Sequence, residues 1–144
     1  GRYALRAIRH LVKTGDQKPT SIKKIAEEED LSAEFLEQIF FRLKNAGVIR
    51  SVRGPGGGFM LNRPAAEISM RHIFDAVGEG VSLAPCVSCK EVPAPECCPR
   101  LDICPVHSVW NALAGQVAKI FDSYTLDKIP QIKKVPKKAV KTGS

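Results

Sequence analysis

No run of about 18 consecutive apolar residues, the length a membrane-crossing helix needs, occurs anywhere in the 144-residue chain. No segment with the basic, apolar and small-residue order of an export signal opens it. A soluble, cytoplasmic protein without a membrane partner is therefore expected. The chain begins at Gly1 with helical spacing already running, so its natural N-terminus is expected to be missing or processed. The one glycine cluster, Gly54-Pro55-Gly56-Gly57-Gly58, lacks the Gly-Lys-Ser/Thr ending and the following helix of a nucleotide-binding P-loop. Phe59-Met60-Leu61 follow it and read as strand. Cysteine is absent before residue 86 and after residue 104, and the five present form an odd count. A disulfide-stapled secreted scaffold is therefore not expected. No internal repeat appears, nor any low-complexity block outside a lysine-rich tail.

What is present is unevenly charged. The net charge is +7. Residues 1–64 carry 12 Lys/Arg against 7 Asp/Glu, residues 65–130 carry 5 against 8, and residues 131–144 carry 5 lysines and no acid. A basic N-terminal module followed by an acidic middle predicts a polyanion-binding unit and a separate regulatory or oligomerising unit. The tail, 130–144, reads as a solvated, disordered end.

Helical spacing in Ala4, Leu5, Ala7, Ile8, Leu11 and Val12 predicts a helix ending near Thr14-Gly15. Thr20 or Ser21 can cap a short helix over IKKIAEEE, with Ile22, Ile25 and Ala26 inward. Ser32 can cap a third over AEFLEQIFFRLKNAG, with a buried stripe of Phe35, Leu36, Ile39, Phe40 and Leu43. Val48 to Val52, a turn from Gly54 to Gly58, and Phe59 to Leu61 then form a hairpin. Three helices and a hairpin make a winged helix-turn-helix over residues 1–64, mainly α with a small β wing. At the wing tip the glycines let backbone approach a DNA phosphate or groove, and Arg53 is placed to enter the narrow, negative minor groove. Ile68, Ile73, Phe74 and Val77 mark a connecting helix and turn over 65–85. Val109, Trp110, Leu113, Val117, Ile120, Phe121 and Tyr124 mark a long C-terminal helix over 106–129 whose apolar stripe predicts a homodimer seam.

Residues 86–107 form a Pro- and Cys-rich segment with no periodicity. Concentration of Cys86, Cys89, Cys97, Cys98 and Cys104 in a loop, with His107 three positions after the last, argues for a metal rather than for core thiols. Cys86 and Cys89 with Cys97 or Cys98 and Cys104 can close a tetrahedral zinc site, and thiolates with a histidine also hold iron-sulfur clusters. Spacing does not choose between them. A thioredoxin-like role for CVSC lacks the helix that would activate its first thiol. His10 and His72 are assigned no chemistry.

The stretches GRYALRAI and LSAEFLEQIFFRLKNAGVIRSVRGPGGGFML, with C-x5-C-x2-H followed by VW, closely resemble the iron-sulfur cluster regulator (IscR) family of bacterial winged-helix transcription factors over about residues 1–129. The resemblance implies a homodimeric, sequence-specific DNA-binding regulator, often a repressor, and not an enzyme. It implies an iron-sulfur cluster, 2Fe-2S in preference to 4Fe-4S, held by Cys86, Cys98, Cys104 and His107, with Cys89 or Cys97 as substitutes because the Cys86 to Cys98 interval is long. Glu37 and Gln38 fall where the family reads bases. The DNA-facing set is then Ser32, Glu37, Gln38 and Arg42 on the recognition helix and Arg53, Gly54, Gly56 and Gly57 on the wing, meeting a palindromic double-stranded operator. The rival readings are a zinc-stabilised DNA-binding repressor without a sensor and a cluster-dependent redox protein. The second leaves the wing and Arg53 unexplained.

Overall fold

The computed structural model describes residues 1–14, 18–80, 82–88 and 94–129. In chain order it contains α1 (Arg2–Thr14), α2 (Ile22–Glu29), α3 (Ala33–Asn45), β1 (Ile49–Val52), β2 (Gly58–Leu61), α4 (Met70–Ala76), α5 (Pro85–Ser88), α6 (Ala94–Cys97) and α7 (His107–Ser123). Single 3-10 turns lie at Ala65–Glu67, Leu101–Ile103 and Leu126–Lys128. The expected tail, 130–144, lies outside the described residues.

The core forms where the apolar stripes of these helices converge. Ala4, Ala7, Ile8 and Leu11 of α1 meet Ile25 and Ala26 of α2, Leu36, Phe40 and Leu43 of α3, and Ile49 at the start of the hairpin. Phe40 is fully buried and its ring meets Phe59 edge-on at 5.1 Å. Burial of one such ring contributes about 1.5–3 kcal/mol. Phe35, expected in this stripe, is 40% exposed. It lies on the flank of α3 toward α1, where its ring stands edge-on to Tyr3 at 5.5 Å.

Local chemistry fixes the helix ends. Ser21 Oγ accepts from the Lys24 N-H at 3.3 Å and Ser32 Oγ from the Phe35 N-H at 3.1 Å, each satisfying an amide that has no partner within its helix. Between α2 and α3 the chain reverses through Asp30 at φ 54°, a left-handed conformation that Asp tolerates better than most residues. Past α3, Gly47 at φ 73° ends the helix, and the Val48 N-H returns to the Leu43 carbonyl at 3.0 Å, as in a Schellman cap.

β1 and β2 pair antiparallel, Ile49 with Leu61 through Val52 with Gly58. Thr20 adds a one-residue bridge on the other edge of β2. Its N-H donates to the Phe59 carbonyl at 3.0 Å, and the Phe59 N-H donates to the Thr20 carbonyl at 2.9 Å. Capping of α2 therefore falls to Ser21, and Thr20 anchors the wing to the helices.

The long C-terminal helix is shorter than expected, ending at Ser123 rather than 129. The chain then turns back. The Leu126 N-H donates to the Ile68 carbonyl at 2.9 Å, the Met70 N-H donates to the Tyr124 carbonyl at 2.8 Å, and Leu126 is fully buried in the core. A buried leucine beside turn-forming residues gives a periodicity reading no reason to stop the helix. The helix is held at its other face by Phe74 of α4 against Phe121, edge-on at 5.1 Å, and by Arg71 donating to Asp122 at 3.0 Å. Among the described residues no helix is long and apolar enough to cross a membrane.

Candidate functional site

Because Leu36, Phe40 and Leu43 fix one face of α3 inward, its opposite face is set by helix geometry. Glu34, Glu37, Gln38, Phe41 and Asn45 are exposed there, at the three- and four-residue steps that align side chains on a helix. Ser32 stands at the N-terminus of this face with its hydroxyl committed to the cap. Arg42, expected in the DNA-facing set, donates through Nη1 to the Val77 carbonyl at 2.7 Å, which tethers α3 to the end of α4.

The hairpin carries Arg53 and the glycines out beside α3. Arg53 is exposed. Gly54 and Gly56 have φ of 104° and 76°, and a Cβ at either would meet nothing within 4 Å. Gly57 and Gly58 are required for a different reason. A Cβ on Gly57 would come within 2.4 Å of the Val52 carbonyl oxygen, and one on Gly58 within 2.4 Å of the Thr20 carbonyl oxygen. The tip is thus closed by close backbone packing, at Gly57 within the wing and at Gly58 against Thr20, while Gly54 and Gly56 leave open space beside the exposed side chains of Arg53 and Pro55. Among the described residues, exposed Lys23, Lys24, Lys44, Arg50 and Arg53 lie on or next to α2, α3 and the wing, where a duplex phosphate backbone would be met.

Sequence reading did not find the charged cluster that locks α1 to α2. Glu29 has a side chain only 6% exposed. Arg6 Nε donates to it at 2.8 Å, Arg9 Nη2 at 3.0 Å and His10 Nε2 at 2.6 Å, and Arg6 Nη2 also reaches the Glu29 carbonyl at 3.0 Å. His10 Nδ1 faces Glu28 at 3.1 Å. Burial by itself pushes the Glu29 carboxyl up, but the hydrogen bonds from His10 and Arg6, with their charges, outweigh it and hold the group below the usual carboxylate range. The arginines at four- and three-residue steps from His10 and Arg6 were a usable signal only with knowledge that α2 lies against α1. His72 has a comparable structural task, closing a capping box with Ser69 at the start of α4.

In the cysteine-rich segment the expected aperiodic loop contains two helical turns, α5 and α6, and the 3-10 turn at Leu101–Ile103. Cys86, Cys98 and Cys104 are half-buried free thiols. Cys97 is disulfide-bonded, a bond that the expectation of no disulfide-stapled scaffold did not address. Its sulfur also lies 3.7 Å from the Pro85 carbonyl oxygen. Cys89 lies outside the described residues. The His107 N-H donates to the Cys104 carbonyl at 3.2 Å, closing the turn that leads from Cys104 into α7, whose N-terminus is the positive end of the helix dipole. Nδ1 of His107 is buried and has no hydrogen-bond partner among the described residues, an unusual state for a buried polar atom. Three free thiols and an unpartnered imidazole nitrogen are the donor chemistry of a soft-metal or iron-sulfur site. Among the described residues, no three His, Cys, Asp or Glu side chains stand close enough together to hold a metal ion. The donors share one segment without forming a closed cage.

The outward face of α7 is apolar. Val109 is 55% exposed, Leu113 45%, Ile120 55% and Tyr124 53%, with Trp110 and Val106 beside them. Its inward side, with Ala114, Ala118 and Phe121, borders an open cleft toward Arg71 and Asp75.

A family model described as Rrf2, iron-dependent transcriptional regulator, matches residues 1–131. The HTH-type transcriptional regulator IscR of Pectobacterium atrosepticum is 33% identical over 135 residues, covering 94% of this chain and 79% of that protein. Among solved structures, CymR (YrzC), the global cysteine regulator of B. subtilis, superimposes with a TM-score of 0.67 at 30% identity, covering 88% of each chain. T. potens IscR gives 0.67 at 29%, covering 88% of this chain and 79% of that one. With three helices, a two-stranded wing anchored at Thr20 and a long terminal helix already established, these matches have one meaning: the chain belongs to the Rrf2 family and is a DNA-binding transcriptional regulator, not an enzyme.

Proposed function

We propose that the chain works as a two-fold homodimer that grips a palindromic duplex with two copies of α3 and the wing, and that an iron-sulfur cluster held by Cys86, Cys98, Cys104 and His107 modulates the grip. The observation that carries the cluster reading is the buried, unpartnered Nδ1 of His107, one turn from a free Cys104 thiol. When bound, a cluster supplies a thiolate-ligated iron-sulfur core whose state varies with redox conditions. Cys86 belongs to α5 and His107 to α7, so a cluster held by both would tie these two elements together. Since α7 presents the apolar dimer face, a change in how it is held alters the spacing of the two recognition helices, and half-site spacing decides fit to a palindrome. Glu37 and Gln38 read base edges, Arg53 enters the minor groove, and the regulator acts in the cytoplasm where its operator is.

Support for the dimer is the row of exposed apolar side chains on α7, which a monomer would leave facing water. A second reading, favoured by the disulfide at Cys97, is a regulator that responds through its thiols without a cluster. Anaerobic purification followed by absorption and Mössbauer spectroscopy separates the two. A visible iron-sulfur chromophore, lost singly in Cys86→Ala, Cys98→Ala and Cys104→Ala but kept with an altered spectrum in His107→Cys, supports the cluster. A colourless, iron-free protein overturns it and leaves the thiol reading.

A further inference from the structure

We propose that Phe41 is a base-reading residue: its ring packs on the C5-methyl group of a thymine in the major groove, adding an apolar contact to those of Glu37 and Gln38. The proposal rests on the reading of α3 as the DNA-facing helix and adds a specificity contact to it. Phe41 is 64% exposed. It lies on α3 four residues after Glu37 and three after Gln38, so all three project from one face, and Glu34 and Asn45 continue that face on either side. The other exposed aromatic on the helix, Phe35, already has Tyr3 against its ring. Phe41 has no ring partner among the described residues. Among the described residues, the remaining exposed large apolar side chains are Leu83 and those at 103–124, and none belongs to α3. Phe41 is therefore a lone apolar group amid charged and polar neighbours on the surface offered to DNA.

A phenyl ring can neither donate to a phosphate nor accept from a base amino group. Among the chemical features displayed in the major groove, the thymine methyl is the one that rewards apolar contact. Phosphate binding alone would be served better by a basic or neutral hydrogen-bonding residue here, and the ring gains from leaving water only against an apolar partner.

The test uses the full chain and begins with selection of duplexes from a random pool by the wild type, Phe41→Ala and Phe41→Leu. In the wild-type consensus each thymine is then replaced by uracil, which deletes only the C5-methyl. At one thymine per half-site the wild type should lose about fourfold in affinity per methyl removed, the factor for burying one such group. Phe41→Ala should bind the thymine and uracil duplexes equally and select a consensus relaxed at that step, while Phe41→Leu keeps the preference. Since the side chain is exposed, the thermal midpoints of the variants should match the wild type, which keeps a folding defect from mimicking the result. A consensus in which no uracil replacement matters, or in which Phe41→Ala keeps the wild-type sensitivity, overturns the role of Phe41 and leaves DNA reading by α3 standing. Failure to select any consensus overturns both.

Discussion

Arg53 and Gly57 sit on the same hairpin tip and should fail in different ways when replaced. Arg53 is exposed and packs into nothing that a melting experiment would register. Arg53→Ala should leave the thermal midpoint unchanged, weaken binding to the selected duplex, and lower the slope of log K against log salt by about 1 for the lost charge contact. Lys119→Ala, an exposed change on α7, should alter neither. Equal losses from the two variants, measured by fluorescence anisotropy across a salt series, would remove the wing from the interface. For Gly57 the damage is internal. A Cβ there meets the Val52 carbonyl oxygen at 2.4 Å and that of Gly54 at 2.8 Å, both backbone atoms that cannot swing aside. Gly57→Ala should cost about 1–3 kcal/mol in urea denaturation, the range for forced overpacking. Gly54→Ala meets open space and carries only the left-handed backbone penalty of about 1–2 kcal/mol. A larger loss at Gly54 than at Gly57 would mean that the tip is not closed as described.

At the scale of elements, the joint between α1 and α2 depends on one buried carboxylate. Its native pKa lies below the usual carboxylate range, so as pH falls the unfolded state takes up a proton before the native state does. The stabilisation is fully present above the unfolded pKa and is lost as pH falls through the lowered native one. Glu29→Gln should therefore cost about 1–3 kcal/mol at neutral pH, the scale of charged hydrogen bonds, and the gap to wild type should close as pH falls through the lowered native pKa. Urea titrations at several pH values check this, and a gap that stays constant as the acid range is entered would contradict it. This joint also marks how far the sequence was legible. Caps at Ser21 and Ser32, the helical stripes of α1 to α3 and the glycine turn are local signals, and each lies where its chemistry places it. Thr20 pairing with Phe59, Glu29 drawing in three bases, Arg42 reaching Val77 and Leu126 returning to the core are contacts between elements distant in the chain, which no local period encodes. Phe35 was misplaced for the same reason, since its partner is Tyr3 on another helix. In the site, residue types and their order pointed to DNA and to a soft metal, but not to the commitment of Arg42 elsewhere or the disulfide at Cys97.

For the whole molecule, the charge layout, the α7 face and the cysteine segment must act together. The stripe on α7 is exposed in one copy of the chain, and its burial between two copies is what would bring two wings onto one duplex. Leu113→Asp should shift the protein toward monomer in sedimentation equilibrium and reduce affinity for the full palindrome more than for a half-site. An unchanged dimer would place the seam elsewhere. The central claim is that ligation at Cys86, Cys98, Cys104 and His107 governs DNA binding by α3 and the wing. It is tested most directly by anaerobic anisotropy titration of the selected duplex, with absorption recorded on the same sample, before and after iron is chelated. The account predicts a visible chromophore that disappears on chelation together with a changed affinity for at least one operator class, in a protein that remains folded and dimeric. Identical binding curves in the coloured and colourless states would contradict it.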